Sequence, residues 1–549
     1  PMVSFLFAGR QLDLSHLRNY ALIDGQQAFP TPQFENNPYW DVYADQNADL
    51  RDRAIGVLSA AYDLTPWITA SVRTGMDWSH DRWVQRYAYG SVGILEGGAE
   101  SRDAIRSYQE NNTDVLVSAQ HPLSRAFATS LDLGYSRRSG RVNGPDGCTY
   151  GDNTFPFQCA GSRTKVRTNS AYGRVGFSMD STLFLDVTGR NDWELAGTSA
   201  ARATFSPSVS SAFVFRDAAR TPRASGWLSY GKLRASWSQL GGVGDAPGQP
   251  MLPWRILSWE EGLDLGSFGN RMSISATHYD ERLLGQTLIA TQTGFRAIPM
   301  ATADRGMEVQ LGAVPIRRKE LGWDVSVRYA KNSSRLDSRQ GNGYTAALDS
   351  RYRLVGLVAG DAYGQLFAAT PRRDAQGRLV VNGGLPELGD VAAVGSELPD
   401  WTGGLETHLR YKRFDVNVLV EVRHGGRFYS ETTAWGSLNG VLASTLRGRE
   451  HGEAIQDGGG MVVPGVNEDG TPNTTVVTAQ EYFQSMGYLL DVYDASAITL
   501  REVRIGYTPS PAVLRRLRVS ALTLSAVGRN LWLDARAPNV DPGTAFDVG

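Results

Sequence analysis

The stretch that decides the fold runs Arg53-Ala54-Ile55-Gly56-Val57-Leu58-Ser59-Ala60-Ala61-Tyr62-Asp63-Leu64, turns at Thr65-Pro66, and returns from Trp67 to Ser79. In the return leg Ile68, Ala70, Val72, Met76 and Trp78 alternate with Thr69, Ser71, Arg73, Asp77 and Ser79. Successive side chains of a strand point to opposite faces, so one face is apolar and the other polar. A soluble sheet with one wet face alternates in the same way. Length and repetition separate the two cases. Each leg is about a dozen residues, against ~5–6 for an average strand and ~9–11 for a tilted strand that crosses a bilayer.

The same hairpin recurs down the chain. Alternation and breakers place about sixteen strands near 53–64, 67–79, 104–121, 126–139, 164–180, 183–193, 204–217, 226–241, 259–268, 271–282, 304–316, 321–334, 400–411, 414–428, 493–508 and 517–532. Residues 1–52 read as irregular. Short connections fall at Thr65-Pro66, Pro122 to Arg125, Ser181-Thr182, Gly269-Asn270, Arg317 to Glu320 and Lys412-Arg413, with 218–225 and 509–516 somewhat longer. Most connections at the other end are long, at 80–103, 140–163, 242–258, 283–303, 335–399 and 429–492; only 194–203 is brief. Short turns on one side and long loops on the other are the habit of outer-membrane barrels. In later strands Val325 and Val327 alternate with Asp324 and Arg328, and Val416, Val418 and Val420 with Asp415 and Glu421. The apolar set is expected to face lipid and the charged set the lumen. Around Leu500-Arg501-Glu502-Val503 the phase slips, which reads as a β-bulge. The fold class is therefore all-β, an antiparallel up-and-down transmembrane β-barrel.

Bulk properties agree. At 549 residues the chain is long for a single soluble core, yet no linker divides it. Lys plus Arg is 55 and Asp plus Glu 57, so no basic excess points to nucleic acid. No apolar run approaches the ~18 residues of a membrane helix. The 60 glycines suit bends and turns, and the 10% of aromatics suits interfacial girdles. Cys148 and Cys159 share one stretch rich in Gly, Pro and Asp, which suggests a short-range disulfide and an oxidising compartment. The reading of these residues expects no metal and no cofactor, because no Cys-x-x-Cys or nearby His completes a site.

A set of ordered motifs resembles one family. They include Asn37-Pro38-Tyr39-Trp40, Arg51-Asp52-Arg53, Val187 to Trp193, Phe205 to Ser210, Leu233 to Trp237, Gly262 to Gly266 and Arg305-Gly306-Met307-Glu308. Further on come Tyr363-Gly364-Gln365, Pro399 to Gly404, Leu500 to Val503, Gly528 to Trp532 and Pro538 to Pro542. The chain is similar to the barrel of SusC/RagA-type TonB-dependent outer-membrane transporters. That resemblance implies a 22-stranded barrel around a plug, of which residues 1–549 would supply the C-terminal three-quarters: a lead-in at 1–52, strands from 53 to 532, and a loop at 533–549 before a last strand. The plug would lie upstream. The resemblance also implies import of an oligosaccharide or oligopeptide at the bacterial cell outer membrane. A SusD-like surface lipoprotein would act as lid, and the TonB–ExbB–ExbD complex would supply energy through the plug.

Catalytic constellations are not found. The seven histidines have no His-Glu-x-x-His spacing, and no Gly-x-Ser-x-Gly elbow or Walker loop occurs. Gly458-Gly459-Gly460 reads as loop flexibility and Glu260-Glu261 as a solvated face. The expected role is transport, not enzymatic. Aromatics in or beside the long loops, Trp254, Trp259, Tyr344, Tyr363, Phe367, Tyr429 and Trp435, have two readings: flat rings that stack on a glycan or peptide substrate, or girdle and loop packing. A passive porin is the alternative function, since porins close at ~16–18 strands and plugged transporters at ~22. On the fragment reading, the strands at 53–64 and 517–532 are the edges of the sheet, expected either to stay apart or to be drawn into a smaller, strained ring.

Overall fold

A computed structural model describes residues 13, 15–22, 26–28, 36–88, 90–92, 100–148, 159–196, 202–217, 227–243, 253–290, 296–336, 344–349, 353–357, 362–452, 454–486, 491–538 and 541–543. One sixteen-stranded antiparallel sheet dominates. Its first twelve strands are β1 (Gln46–Thr65), β2 (Ile68–Tyr87), β3 (Glu100–Pro122), β4 (Phe127–Cys148), β5 (Cys159–Met179), β6 (Leu183–Ala196), β7 (Arg202–Asp217), β8 (Leu228–Val243), β9 (Pro253–Ser267), β10 (Met272–Ala290), β11 (Arg296–Arg317) and β12 (Leu321–Leu336). The insertion that follows at the long-loop end contributes β13 (Tyr344–Asp349), β14 (Arg353–Leu357), β15 (Gln365–Pro371), β16 (Val381–Asn382), β17 (Leu385–Pro386) and β18 (Leu388–Ser396). The sheet resumes with β19 (Trp401–Tyr411) and β20 (Phe414–His424). A second insertion holds β21 (Arg427–Tyr429), β22 (Met461–Val462), β23 (Val476–Val477) and β24 (Val492–Asp494), before β25 (Ala497–Tyr507) and β26 (Leu524–Ala535) end the sheet.

Every strand of the sheet pairs with its sequence neighbour within it, in the order β1 to β12, β19, β20, β25, β26. The two outermost strands, β1 and β26, pair on one side only, and no ladder joins them among the described residues. Of the two expected outcomes, edges apart or a strained smaller ring, the first is observed, with shifted bounds. The bulge is also where the phase slips: the β25–β26 register shifts between Leu500 and Glu502.

Most boundaries lie further out than alternation suggested, because the strands continue above the apolar band as polar ladders. β1 starts at Gln46, inside the segment read as irregular, and a short helix α1 (Pro38–Tyr43) precedes it. Asn37 caps α1 by accepting from Tyr39 N, and Pro38 fits the first turn, where its missing N–H costs nothing. The strand read from 517 begins only at Leu524. Ser510-Pro511 starts a helix there over Pro511–Leu517, and Arg518 ends it in the left-handed region at φ 57°.

The two faces separate as the alternation requires. Val418 stands opposite Thr407 and Val503, and Val327 opposite Leu311 and Leu405, all on one face. The other face carries cross-strand ion pairs: Arg53–Asp77 at 2.7 Å, Arg328–Glu406 at 3.4 Å and Arg504–Asp415 at 3.4 Å. The charged face is the concave one, since side chains from six adjacent strands line a common hollow there. Exposed aromatics form two belts on the convex face. Trp67, Phe127, Trp227, Phe268, Trp323, Tyr411 and Phe414 mark the short-turn end. Trp78, Tyr135, Trp237 and Trp259 stand eight to eleven residues further along their strands, and Trp193 lies ten residues into β6. With ~3.3 Å rise per residue and ~40° tilt the belts are roughly 20–25 Å apart, close to the ~25 Å apolar band of outer-membrane barrels.

The largest apolar core of the described residues lies outside this sheet. The connections read as long loops at 335–399 and 429–492 fold together, with helices α2 (Glu431–Leu438) and α3 (Ala479–Met486). Val381, Met461, Val463, Val477, Ala479 and Phe483 pack as one cluster drawn from both. Val381 N donates to Val466 O and Val466 N to Leu379 O, each at 2.8 Å, which stitches one insertion to the other.

The facing of β20 gives a direct test. Val420→Arg puts a cation on the lipid face and is expected to cost about 2–4 kcal/mol of folding stability in bilayers. Asn417→Arg, on the concave face, is expected to cost under about 1 kcal/mol, by the weak effect of screened surface charges. Reversible unfolding in lipid vesicles measures both.

Candidate functional site

The concave wall is built from the polar halves of the alternating strands. Arg501 Nε donates to Glu421 Oε2 at 2.5 Å, and Arg501 Nη1 to Asn530 Oδ1 at 3.2 Å. Together with Arg328–Glu406 these pairs border a hollow of about 680 Å³, whose wall also includes Glu308, Arg423 and Thr499. Asp541, beyond the last strand, also lines it. The wall thus presents both signs of charge and many hydroxyls, a surface that suits a polar polypeptide or a hydrated solute and no apolar one.

Glycine lets long side chains lie flat along this wall. The Tyr172 ring crosses Gly134 of β4 to hydrogen-bond Asp114 of β3 at 2.9 Å, and a Cβ on Gly134 would fall 2.1 Å from the ring. Tyr279 lies over Gly306 in the same way. A glycine inside a strand marks such close approaches.

The rim is pinned where β24, β25 and β26 meet. Asp494 accepts from Ser496 N, Ser496 Oγ and Arg536 Nη1. Burial alone would raise its pKa, but these hydrogen bonds and the Arg536 charge outweigh it and hold the carboxyl at about 2. Phe428, Ala495 and Ala537 close the apolar side of the same junction. At the other edge of the sheet, on the same long-loop rim, a buried polar knot joins α1 to the end of β2. Trp40 Nε1 donates to Ser91 Oγ at 2.8 Å, Ser91 Oγ to Asp45 Oδ1 at 2.7 Å, and Gln27 Nε2 to Asn36 Oδ1 at 2.9 Å. This gives the Asn37-Pro38-Tyr39-Trp40 motif a structural task.

None of the aromatics singled out as substrate contacts is among the described residues that line the hollow. Trp259 is on β9, not in a loop, and faces outward beside Trp237 in the upper belt. Strand β9 begins at Pro253, six residues earlier than alternation suggested, so Trp254 is also on it; its ring lies against Gly242 of β8. Tyr363 is half-buried above β12, where its N–H bonds Ser334 O. Phe367 is half-buried on β15. Trp435 lies on α2 and donates to Glu431 at 3.3 Å, and Tyr429 is on β21. Tyr344 begins β13, and its side chain lies outside the described residues. The mixed-charge wall was foreseen as a class. Its central pairs, Arg501–Glu421 and Arg328–Glu406, depend on cross-strand register, which alternation within a strand does not report.

No protein-family model matches the chain. It is 22% identical to the TonB-dependent receptor P39 of Formosa agariphila, over 97% of this chain and 60% of that protein. It is also 22% identical to the TonB-dependent receptor P3 of the same organism, over 52% of this chain and 31% of that protein. Among solved structures, it aligns with a chain of the RagAB peptide transporter at a TM-score of 0.67 and 14% identity, over 95% of this chain and 63% of that one. For the RagAB peptide importer in its open-open state the TM-score is 0.69. The chain therefore spans at most about 60% of the length of the curated relatives it matches. These comparisons bear out the resemblance to SusC/RagA-type TonB-dependent transporters, and the fold is that of their barrel.

The cysteines were read as sharing one loop, but they occupy facing strand ends. Cys148 ends β4, Cys159 begins β5, and the ladder pairs them directly. Their side chains lie outside the described residues. Directly opposed antiparallel residues have Cα atoms ~4.5–5.5 Å apart, inside the ~4.4–6.8 Å range of disulfides. A bridge is expected: the purified chain should resist thiol alkylation until reduced, and alkylation without reductant would contradict it.

Proposed function

We propose that the chain is the barrel part of an outer-membrane importer energised by TonB. The observation that carries this reading is a membrane-type sheet whose outer strands are unpaired and whose concave wall is lined with charge. In lipid an open sheet edge leaves a row of N–H and C=O groups without partners, at several kcal/mol each. Further strands of the natural protein would pair with β1 and β26, and a polar plug would occupy the mixed-charge lumen. A sixteen-stranded porin, by contrast, would close β1 on β26, and these strands are not paired.

The substrate is proposed to be an oligopeptide or an oligosaccharide, too large for passive pores. The RagAB structures are of a peptide transporter, which favours the peptide. A SusD-like lipoprotein would sit on the folded extracellular insertions and close over the lumen, with Trp254, Tyr363, Phe367 and Trp435 as candidate contacts at that end. The barrel supplies a scaffold and a path, and its residues perform no bond chemistry.

Uptake of labelled oligopeptides and oligosaccharides into cells that carry the whole gene tests the proposal. Uptake of one class should require both the gene and TonB. Uptake that persists undiminished without TonB would establish the passive channel instead.

A further inference from the structure

In the folded extracellular insertions Asp491 is completely buried between α2 and β24. Its backbone O accepts from Ser430 N at 2.9 Å, at the N-cap of α2. Of its carboxyl oxygens, Oδ1 accepts from the Tyr493 hydroxyl at 3.1 Å, while Oδ2 meets no donor at hydrogen-bonding geometry. The hydroxyls of Thr433 and Ser437 lie beside it. Both residues are buried on α2. The Thr433 proton is already committed, since Thr433 Oγ1 donates to Ser430 O at 3.0 Å.

An ionised carboxylate offers about four acceptor sites and no donor. Here the Tyr493 hydroxyl serves Oδ1, the Ser437 hydroxyl is the one uncommitted donor beside the carboxyl, and Oδ2 meets no donor at hydrogen-bonding geometry. A protonated carboxyl fits better, because its O–H can donate to the free lone pairs of Thr433 Oγ1. The titratable and charged groups on the packed elements are Arg427 and Tyr429 on β21, Glu431 on α2, Tyr493 and Asp494 on β24, and Glu481 and Tyr482 on α3. Among these, Tyr493 is the group shown bonded to the carboxyl. Glu481 is engaged with Thr478, and Asp494 with Ser496 and Arg536.

We propose that Asp491 is a proton-controlled latch: protonated, it clamps α2 onto the β21–β24 pair at the barrel rim, and on losing its proton it releases them. The inference rests on the fold and is independent of the import reading. Burial raises the Asp491 pKa above its ordinary 3.8, partly offset by the neighbouring hydroxyls. The folded pKa is the higher one, so the latch is fully tight below the ordinary value and weakens as pH rises through the raised one. Lower pH therefore tightens this part of the extracellular surface and rising pH loosens it.

Hydrogen exchange at the Ser430, Thr433 and Ala434 amides of the full chain in detergent reads the latch, after correction for the intrinsic pH dependence of exchange. Protection should fall by up to about tenfold per pH unit above the ordinary Asp range. In Asp491→Asn, which keeps a neutral side chain, protection should be flat with pH. Tyr493→Phe removes the donor that serves the ionised form, so the fall should continue to higher pH before it levels off. A wild-type protection that is flat over the same range, or an equal slope in wild type and Asp491→Asn, would overturn the proposal. The wild-type series and Tyr493→Phe keep the test valid if Asp491→Asn does not fold.

Discussion

Inside a bilayer no water is available to the backbone, so each N–H and C=O must find its partner within the protein. That constraint organises this chain. It explains strands of up to 23 residues, an unbroken order of neighbour pairing, and turns that reverse direction in a few residues. It also explains why the edges matter most. β1 and β26 satisfy the constraint on one side only among the described residues, and the proposal of further strands rests on that imbalance.

The same constraint inverts the usual place of the core. In a soluble domain apolar side chains gather inside; here they face outward, and the concave wall is held by ion pairs and hydroxyls. Individually these exposed pairs contribute little, ~0–1 kcal/mol each. Their effect is to make the lumen a polar environment of mixed sign. The compact apolar core lies beyond the band, where two insertions cover each other around Val381 and Phe483. Such a body can present a shaped surface to a partner, which separate mobile loops cannot.

Much of this was legible in the residues. Ile68 to Trp78 and Val416 to Val420 announced their faces because a period of two is unambiguous over a dozen residues. The bulge at Arg501 showed as a phase slip. The strand extensions were not legible, because polar ladders above the membrane lack the apolar half of the alternation. Nor was the helix at Pro511–Leu517, which lay inside a longer connection at the turn end and a presumed strand. The folded insertions were missed for a different reason. Their core is assembled from residues as distant as Val381 and Val477, and no local pattern links them. Trp259, at the start of an expected strand, read equally as substrate contact or girdle, and the register beside Trp237 places it in the girdle.

The central claim is that one sheet separates lipid from a polar lumen along alternate residues. Single cysteines from Asp415 to Val422, each carrying a fluorophore, would test it in vesicles made from the complete protein with Cys148 and Cys159 kept bridged. A quencher attached to lipid tails should act at positions 416, 418, 420 and 422. A water-soluble quencher should act at 415, 417, 419 and 421. Quenching by the aqueous reagent at all eight positions alike, or with the opposite phase, would contradict the account.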